Sequence, residues 1–234
     1  MKALISINVA MIRKRDILNM TRLSYRGDVM PTNTFYNLEE SKRKQIFDAC
    51  VDEFSLHTFS EASINQIIKA ANISRGSFYQ YFADKEDCYM YLLSEMVKEK
   101  MEMFKDVVGS NENDTVFDEY EAMFDKAIRW IEVKPKYYQI GSKMDMDNSE
   151  FIRKLLKGNL ASLDYFASLI RRDQQRGIIR KEIDPVILTE MLFSINQKAL
   201  MNFFYNRDFE GMKKHLHHIL EIIRKGSTTE ENHV

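Results

Sequence analysis

Cysteine, proline and glycine are all scarce in this chain, whose 234 residues include 2 Cys, 3 Pro and 8 Gly. So few turn-forming residues argue against a loop-rich all-β fold, a collagen-like chain and a disordered low-complexity chain. Two cysteines are too few for a disulfide scaffold in a chain of this length. Cys50 and Cys88 both occupy apolar positions of helical patterns, which favours buried reduced thiols over the alternative, a redox pair.

Long hydrophobic runs and a strong excess of one charge are also missing. No apolar stretch approaches the ~20 residues that a membrane-spanning helix requires. The apolar-leaning run 3–12 is interrupted by Ser6 and Asn8, and the basic run 13–15 follows it on the wrong side for a signal peptide. We therefore expect a cytoplasmic protein with no membrane association. Because the formal net charge is −1, any nucleic-acid surface has to be a local patch.

The first 36 residues differ from the rest, with six basic and two acidic residues and no sustained periodicity. We interpret residues 1–36 as a basic N-terminal extension. It is either a disordered arm that follows DNA phosphates or a segment upstream of a mis-assigned start, the true one being Met30. Both alternatives remain open at this stage.

From residue 37 onward the sequence predicts about nine consecutive helices and no strand, because apolar residues recur at helical spacing. The fold class is therefore all-α. Residues suited to begin helices precede the apolar stripes; they are Asn37, Ser63, Ser74, Asp84, Thr115, Pro135, Asn148, Asp184 and Asp208. Asn72 and Gly177 are predicted to end helices in the left-handed conformation.

The second and third predicted helices are joined by a tight turn at residues 71–73. Two short helices joined in this way are typical of a helix-turn-helix unit, whose second helix enters the major groove. Between Ser63 and Tyr81 there are two basic residues and no acidic one. Lys85 lies in the first turn of the following helix, where it opposes the helix dipole. A phosphate bound there would explain a lysine at that position.

The stretch from Lys42 to about Leu93 resembles the DNA-binding domain of the tetracycline-repressor (TetR) family. The residues that carry the resemblance are Ser63-Ile64-x-x-Ile67-Ile68-x-x-Ala71-Asn72-Ile73-Ser74-Arg75-Gly76-Ser77-Phe78-Tyr79-x-Tyr81-Phe82-x-Asp84-Lys85-Glu86. The chain departs from the family pattern at His57 and Asn72, where glycine is usual, at Ile68 and at Cys88. These departures concern helix packing.

The resemblance implies a three-helix helix-turn-helix domain over 37–99, a helical ligand-binding and dimerisation domain over 100–226, and a polar tail over 227–234. It implies that Ser63, Tyr79 and Lys85 contact phosphates. It implies that Arg75, Ser77, Gln80 and Tyr81 face the groove. Lys42 and Arg43, at the start of the first helix, are placed to reach the flanking backbone, and Gly76 leaves room for a phosphate backbone to approach. In that arrangement Gln80 suits bidentate pairing with adenine and Arg75 with guanine.

In the second half, the family resemblance implies that the last two long helices, at 184–206 and 208–225, form a dimer. Their apolar stripes suit a four-helix bundle with a second copy; the alternative is that both stripes pack only inward. A ligand pocket is expected among the fourth to seventh helices, although apolar stripes also suit plain core. Candidate lining residues are Met96, Met103, Phe124, Ile128, Tyr137, Tyr138, Met144, Phe151, Leu155 and Phe166.

Metal and enzyme functions are not indicated. The sequence His215-x-His217-His218 lacks the three or four converging ligands that zinc requires. The chain contains no phosphate-binding glycine loop, nucleophile elbow or metalloprotease helix, so we expect no enzyme activity and no cofactor. We predict a homodimeric repressor that binds a double-stranded DNA operator and is released by a small apolar or aromatic ligand. The alternative is a helical protein-interaction module that has lost DNA binding.

Overall fold

The computed structural model describes residues 31–104, 113–157, 161–194 and 208–229, and within these ranges every regular element is a helix. In chain order the helices are α1 (Asn33–Tyr36), α2 (Glu40–Leu56), α3 (Ile64–Ala70), α4 (Arg75–Tyr81), α5 (Lys85–Phe104), α6 (Val116–Val133), α7 (Pro135–Met146), α8 (Glu150–Lys157), α9 (Ala161–Gln175), α10 (185–194) and α11 (Phe209–Ser227). The predicted all-α fold is confirmed.

Several helices begin and end where local sequence signals predict. The Ser74 hydroxyl accepts a hydrogen bond from the Ser77 backbone N–H at 2.9 Å and caps α4. Thr115 and Asp118 form a reciprocal capping box at the start of α6. Asn72 ends the α3 region with a φ of 47°, and Gly177 follows α9 with a φ of 74°, so both adopt the left-handed conformation that the sequence predicted.

The predicted start of the first helix at Asn37 is wrong. Asn37 instead ends an additional short helix, α1, and α2 begins at Glu40. The Thr32 hydroxyl accepts a hydrogen bond from the Phe35 N–H at 3.4 Å, and Phe35 is completely buried. A helix of four residues is too short to show a periodicity that sequence inspection could detect. This cap and the buried Phe35 ring stabilise it. Of the extension predicted over 1–36, residues 1–30, which include its six basic residues and Met30, lie outside the described ranges, whereas residues 33–36 form α1.

One further helix start differs from expectation. The cap before α8 is Ser149, whose hydroxyl accepts from the Ile152 N–H at 3.3 Å, and not Asn148. The single long helix predicted from Asn148 to Gly177 is described as α8 and α9, with residues 158–160 outside the described ranges. Ser63 occupies the N-cap position of α3 without a side-chain capping bond.

The apolar core is continuous from the first helices to the last. In the N-terminal domain, Phe54, Phe78 and Phe82 are essentially inaccessible to solvent. Helix α5 carries this core onward through buried Leu92 and Met96, toward α6 and α7. Helix α7 also packs along α2, so the second domain contacts the helix-turn-helix unit directly as well as through α5.

Candidate nucleic-acid interface

Helix α4 presents a polar face to solvent while its apolar face is fixed in the core. Phe78 has no exposed surface, whereas Arg75, Gln80 and Tyr79 are exposed, the last to 45%. The aromatic ring that follows α4, Phe82, is also fully buried. The buried aromatic rings therefore hold the helix in place while its polar side chains extend into solvent, as a recognition helix requires.

The Arg75 guanidinium is held at the corner between α3 and α4. Its Nη1 donates a hydrogen bond to Asn65 Oδ1 at 3.2 Å, and its Cζ lies 5.7 Å from the centre of the Tyr79 ring. A cation over an aromatic face is attracted by the ring quadrupole. These contacts orient Arg75 and Tyr79 together on the exposed side of α4.

The small residues of this region have different environments. The Ser77 hydroxyl lies 2.8 Å from the Ser74 hydroxyl, so it takes part in the cap. The Ser63 backbone N–H donates to buried Glu53 Oε1 at 2.7 Å, while the Ser63 side chain remains partly accessible. A Cβ on Gly76 would meet only Ser74 Oγ, at 3.7 Å. Packing within the chain therefore does not require glycine at position 76.

Tyr81 is placed differently from the groove-facing position that the family resemblance implies. Its side chain is only 8% exposed, and its ring centre lies 5.9 Å from that of Phe35. The cause is α1, which the sequence pattern did not reveal and which covers this end of α4. In the free protein, Tyr81 is part of the core.

Three basic residues that were predicted to reach the DNA backbone hold backbone carbonyls of the chain itself. Lys42 Nζ donates to the carbonyl oxygens of Ala71 and Asn72, both at 3.0 Å. These carbonyls belong to the turn between α3 and α4, so Lys42 stabilises the helix-turn-helix corner. Arg43 Nη1 donates to the carbonyl oxygens of residues 36 and 38, both at 2.7 Å.

Lys85 has a similar role in the loop before α3. Its Nζ donates to the carbonyl oxygens of Ser60 at 3.1 Å and Ala62 at 3.0 Å, and lies 4.8 Å from the centre of the Phe59 ring. Burial disfavours the charged form and lowers the pKa of Lys85 below its usual value. Contacts of these three cations with DNA phosphates stay predictions.

Sequence inspection did not foresee two contacts that connect this loop to α7 and α8. Asp147, which follows α7, accepts hydrogen bonds from the backbone N–H and the hydroxyl of Ser60. Phe151 of α8 packs on Phe59, with ring centres 4.6 Å apart. The partner of Asp147 is 87 residues away, so no local pattern in the sequence identifies it.

The candidate pocket residues all belong to the continuous apolar core or pack against it. Seven are buried, and they are Met96, Phe124, Ile128, Tyr137, Tyr138, Met144 and Phe166. Met103, Phe151 and Leu155 are partly buried against the same core. A ligand-binding role for these residues stays a prediction.

A buried lysine in this core was also missed. Lys100 is 2% exposed, and its Nζ lies 5.6 Å from the centre of the Trp130 ring. Burial lowers the pKa of its ammonium group well below the usual value. Trp130 in turn packs edge-on against Tyr137, with ring centres 5.5 Å apart.

The last two helices expose apolar side chains. On α10, Val186, Ile187 and Met191 are 49%, 58% and 48% exposed, and Ile222 on α11 is 66% exposed. In the part of the chain that the structure describes, no group of three or more His, Cys, Asp or Glu residues could hold a metal ion. Across the same ranges, no helix combines the length and apolar character needed to cross a membrane.

Comparisons with known proteins agree with this geometry. The family model described as "Bacterial regulatory proteins, tetR family" matches residues 46–92. A fatty acid metabolism regulator protein of Bacillus subtilis is 23% identical over 192 residues, which span 79% of this chain and 95% of the relative.

Solved structures share the fold along most of the chain. A TetR family transcriptional regulator from Chloroflexus aurantiacus has a TM-score of 0.67 and 26% identity, covering 86% of this chain and all of the other. The regulator FadR from Bacillus subtilis, solved in complex with stearoyl-CoA, has a TM-score of 0.62 and 21% identity. That likeness covers 78% of this chain and 98% of FadR.

Proposed function

We propose that this chain, a member of the TetR family of transcriptional regulators, is a homodimeric repressor that binds operator DNA and is released by a small ligand with a long apolar part. The observation that carries the proposal is the seating of α4. Phe78 is fully buried while Arg75, Tyr79 and Gln80 are exposed. A short helix fixed in this way can enter a major groove without reorganising.

The DNA contacts divide into reading and positioning contacts. Gln80 and Arg75 are the proposed base-reading residues, because amide and guanidinium groups pair bidentately with adenine and guanine. Tyr79 and Ser63 are proposed phosphate contacts. Lys85 keeps its proposed phosphate contact, in addition to the carbonyl contacts that hold the loop before α3.

The proposed ligand class rests on the core of the second domain and on the relatives. The core between α5 and α9 contains methionine and aromatic side chains. Methionine is flexible enough to adapt to an apolar ligand. One similar protein is named for fatty acid metabolism, and one structural neighbour holds stearoyl-CoA. A fatty acyl chain is therefore the proposed ligand, with a cytoplasmic site of action.

The proposed dimer uses α10 and α11. Ile187 and Met191 lie four residues apart on one side of α10, and Ile222 shares a face of α11 with His215 and His218. Exposed apolar surface that is rimmed by polar residues is typical of a protein interface. Two such helices from each copy would form a four-helix bundle.

Footprinting on DNA upstream of the chain's own coding region tests the proposal. We expect a protected, two-fold symmetric site whose half-sites are ~34–36 Å apart, or a multiple of that distance. Stearoyl-CoA should reduce the affinity for that site by ~5–150-fold, whereas free coenzyme A should not. Gln80→Ala should relax discrimination at one base pair, while Lys181→Ala, an exposed control in the second domain, should not.

Two outcomes would contradict parts of the proposal separately. If the protein binds every DNA sequence equally weakly, the alternative applies, which is a helical protein-interaction module that has lost specific DNA binding. A protein that binds an operator but does not respond to acyl-CoA would remain a DNA-binding regulator with a different effector.

A further inference from the structure

The end of α4 is covered by Thr32, a residue outside the 46–92 match. The Thr32 backbone N–H donates to the carbonyl oxygen of Tyr81 at 3.1 Å, and its hydroxyl donates to the carbonyl oxygen of Gln80 at 2.7 Å. The last carbonyls of a helix have no partner within the helix. Thr32, from a distant part of the chain, therefore donates hydrogen bonds to two of these carbonyl oxygens.

We propose that Thr32 is a positioning residue for operator reading, which fixes the end of the recognition helix so that Gln80 meets its base in one orientation. This inference rests on the proposed DNA-binding function. Thr32 acts through the helix backbone, since its hydroxyl donates to the carbonyl oxygen of Gln80.

The anchor that keeps Thr32 in place is Phe35, three residues further along. Phe35 is completely buried, with its ring centre 5.2 Å from that of Phe82 and 4.9 Å from that of Tyr91. At the other end of α1, Arg43 holds the carbonyl oxygens of residues 36 and 38. The segment 32–38 is thus fastened at both ends and presents Thr32 to α4 in a fixed position.

The length of α4 explains why this contact matters for reading. Helix α4 has seven residues, and so short a helix is marginal without tertiary contacts. Its start is held by the Ser74 cap, but the base-reading residue Gln80 lies in its last turn. Bidentate pairing requires the amide of Gln80 to lie in the plane of the base, so fraying of this turn weakens the correct pairing more than it weakens contacts with phosphates.

Three substitutions distinguish the contribution of the Thr32 hydroxyl from that of the rest of the segment 32–38. Thr32→Val keeps the side-chain shape and the backbone N–H but removes the hydroxyl, which donates to the carbonyl oxygen of Gln80 and also accepts from the Phe35 N–H at the start of α1. Thr32→Ser restores a hydroxyl. Thr34→Val is the matched control, because Thr34 lies in the same short helix and its side chain is exposed.

The measured quantity is the ratio of operator affinity to nonspecific DNA affinity at one salt concentration. We expect Thr32→Val to lower this ratio by about 3- to 10-fold, the effect of one lost hydrogen bond. Thr32→Ser should recover most of the ratio, and Thr34→Val should leave it unchanged. Nonspecific affinity and its salt dependence should be the same in all four proteins. A Thr32→Val protein with the wild-type ratio would overturn the inference.

Amide hydrogen exchange in the free protein gives a second readout that does not depend on an operator. Thr32→Val should speed exchange at residues 80–82 relative to residues 64–70 of α3, and Thr34→Val should not. If wild-type protein binds no operator, the proposed function fails while the exchange data still test the positioning of α4. Unchanged exchange at residues 80–82 would overturn the inference even if operator binding is found.

Discussion

Asp147 accepts two hydrogen bonds from Ser60, one from the backbone N–H at 2.6 Å and one from the hydroxyl at 2.8 Å. Asp147 follows the last residue of α7, and Ser60 lies in the loop that leads into α3. The neighbouring rings of Phe151 and Phe59 pack 4.6 Å apart. The second domain thus holds the helix-turn-helix unit at this loop, in addition to the covalent connection through α5.

Removing this contact should weaken communication between ligand and DNA. Asp147→Ala leaves the α4 surface intact but frees the loop at Ser60, so operator affinity without ligand should change little. The ligand-induced loss of affinity should shrink, because a ligand acts only through contacts that differ between the two states. The measurement is the operator dissociation constant with and without stearoyl-CoA.

The matched control is Glu150→Ala, which removes an exposed carboxylate three residues away. The Glu150 side chain is 75% exposed and forms an ion pair with Lys154 at 2.8 Å. A ligand response that stays at the wild-type level in Asp147→Ala would assign the coupling to the other connections, α5 and the packing of α7 along α2.

The same carboxylate should make stability depend on pH in the acidic range. Burial alone would raise the pKa of Asp147, but hydrogen bonds from Ser149 and Ser60 outweigh it and hold the pKa below its ordinary value. A lowered folded-state pKa adds stability that is fully present well above the unfolded value of ~3.9 and is lost as the pH falls through the folded value. Asp147→Asn should therefore lose stability less steeply than wild type below about pH 4. Urea unfolding at a series of pH values measures this, and parallel curves would contradict it.

Local signals explain why much of the fold could be predicted from the sequence. The caps at Ser74 and Thr115 depend on residues three positions away, and the left-handed Asn72 depends on its own side chain. The resemblance to the TetR family located the helix-turn-helix for the same reason, since its motif is continuous in sequence.

The parts that could not be predicted depend on distant partners. Thr32 and Gln80 are 48 residues apart, and Ser60 and Asp147 are 87 apart. A lysine that binds carbonyl oxygens cannot be distinguished by sequence from one that binds phosphate, because both are oxygen acceptors. This is why the carbonyl contacts of Lys42 and Lys85 were not foreseen, and why the burial of Tyr81 became visible only with α1.

Lys85 should contribute to both loop stability and DNA binding. Lys85→Met keeps the aliphatic contact with Phe59 but removes the donor to the carbonyl oxygens of Ser60 and Ala62. The free energy of unfolding should fall, and the salt slope of DNA binding should decrease by about one if a phosphate contact is also lost. Lys181→Met, exposed and in the second domain, should change neither quantity. An unchanged salt slope would restrict Lys85 to its structural role.

The proposed dimer can be tested by placing charge on the exposed apolar residues of α10 and α11. Ile187→Lys with Ile222→Lys should convert a dimer into a monomer, because burying an unpaired ammonium group in an interface is strongly unfavourable. The control is Val133→Lys, at an apolar residue that is 67% exposed at the end of α6. Sedimentation velocity measures the molecular mass, and a double variant that stays dimeric would place the interface elsewhere.

The two cysteines should behave as inert thiols in the native protein. The sulfur atoms of Cys50 and Cys88 lie 3.2 Å apart, and both side chains are completely buried. The hydrogen bond with Cys50, followed by burial, raises the pKa of the Cys88 thiol well above its usual value. Because the thiolate is the reactive form, iodoacetamide should label neither residue in native protein and both in denaturant, as counted by intact mass. A Cys50→Ala variant should take up a single label in denaturant. A native mass lower by two hydrogen atoms after exposure to peroxide, with no label gained in denaturant, would instead show that the pair forms a disulfide between α2 and α5.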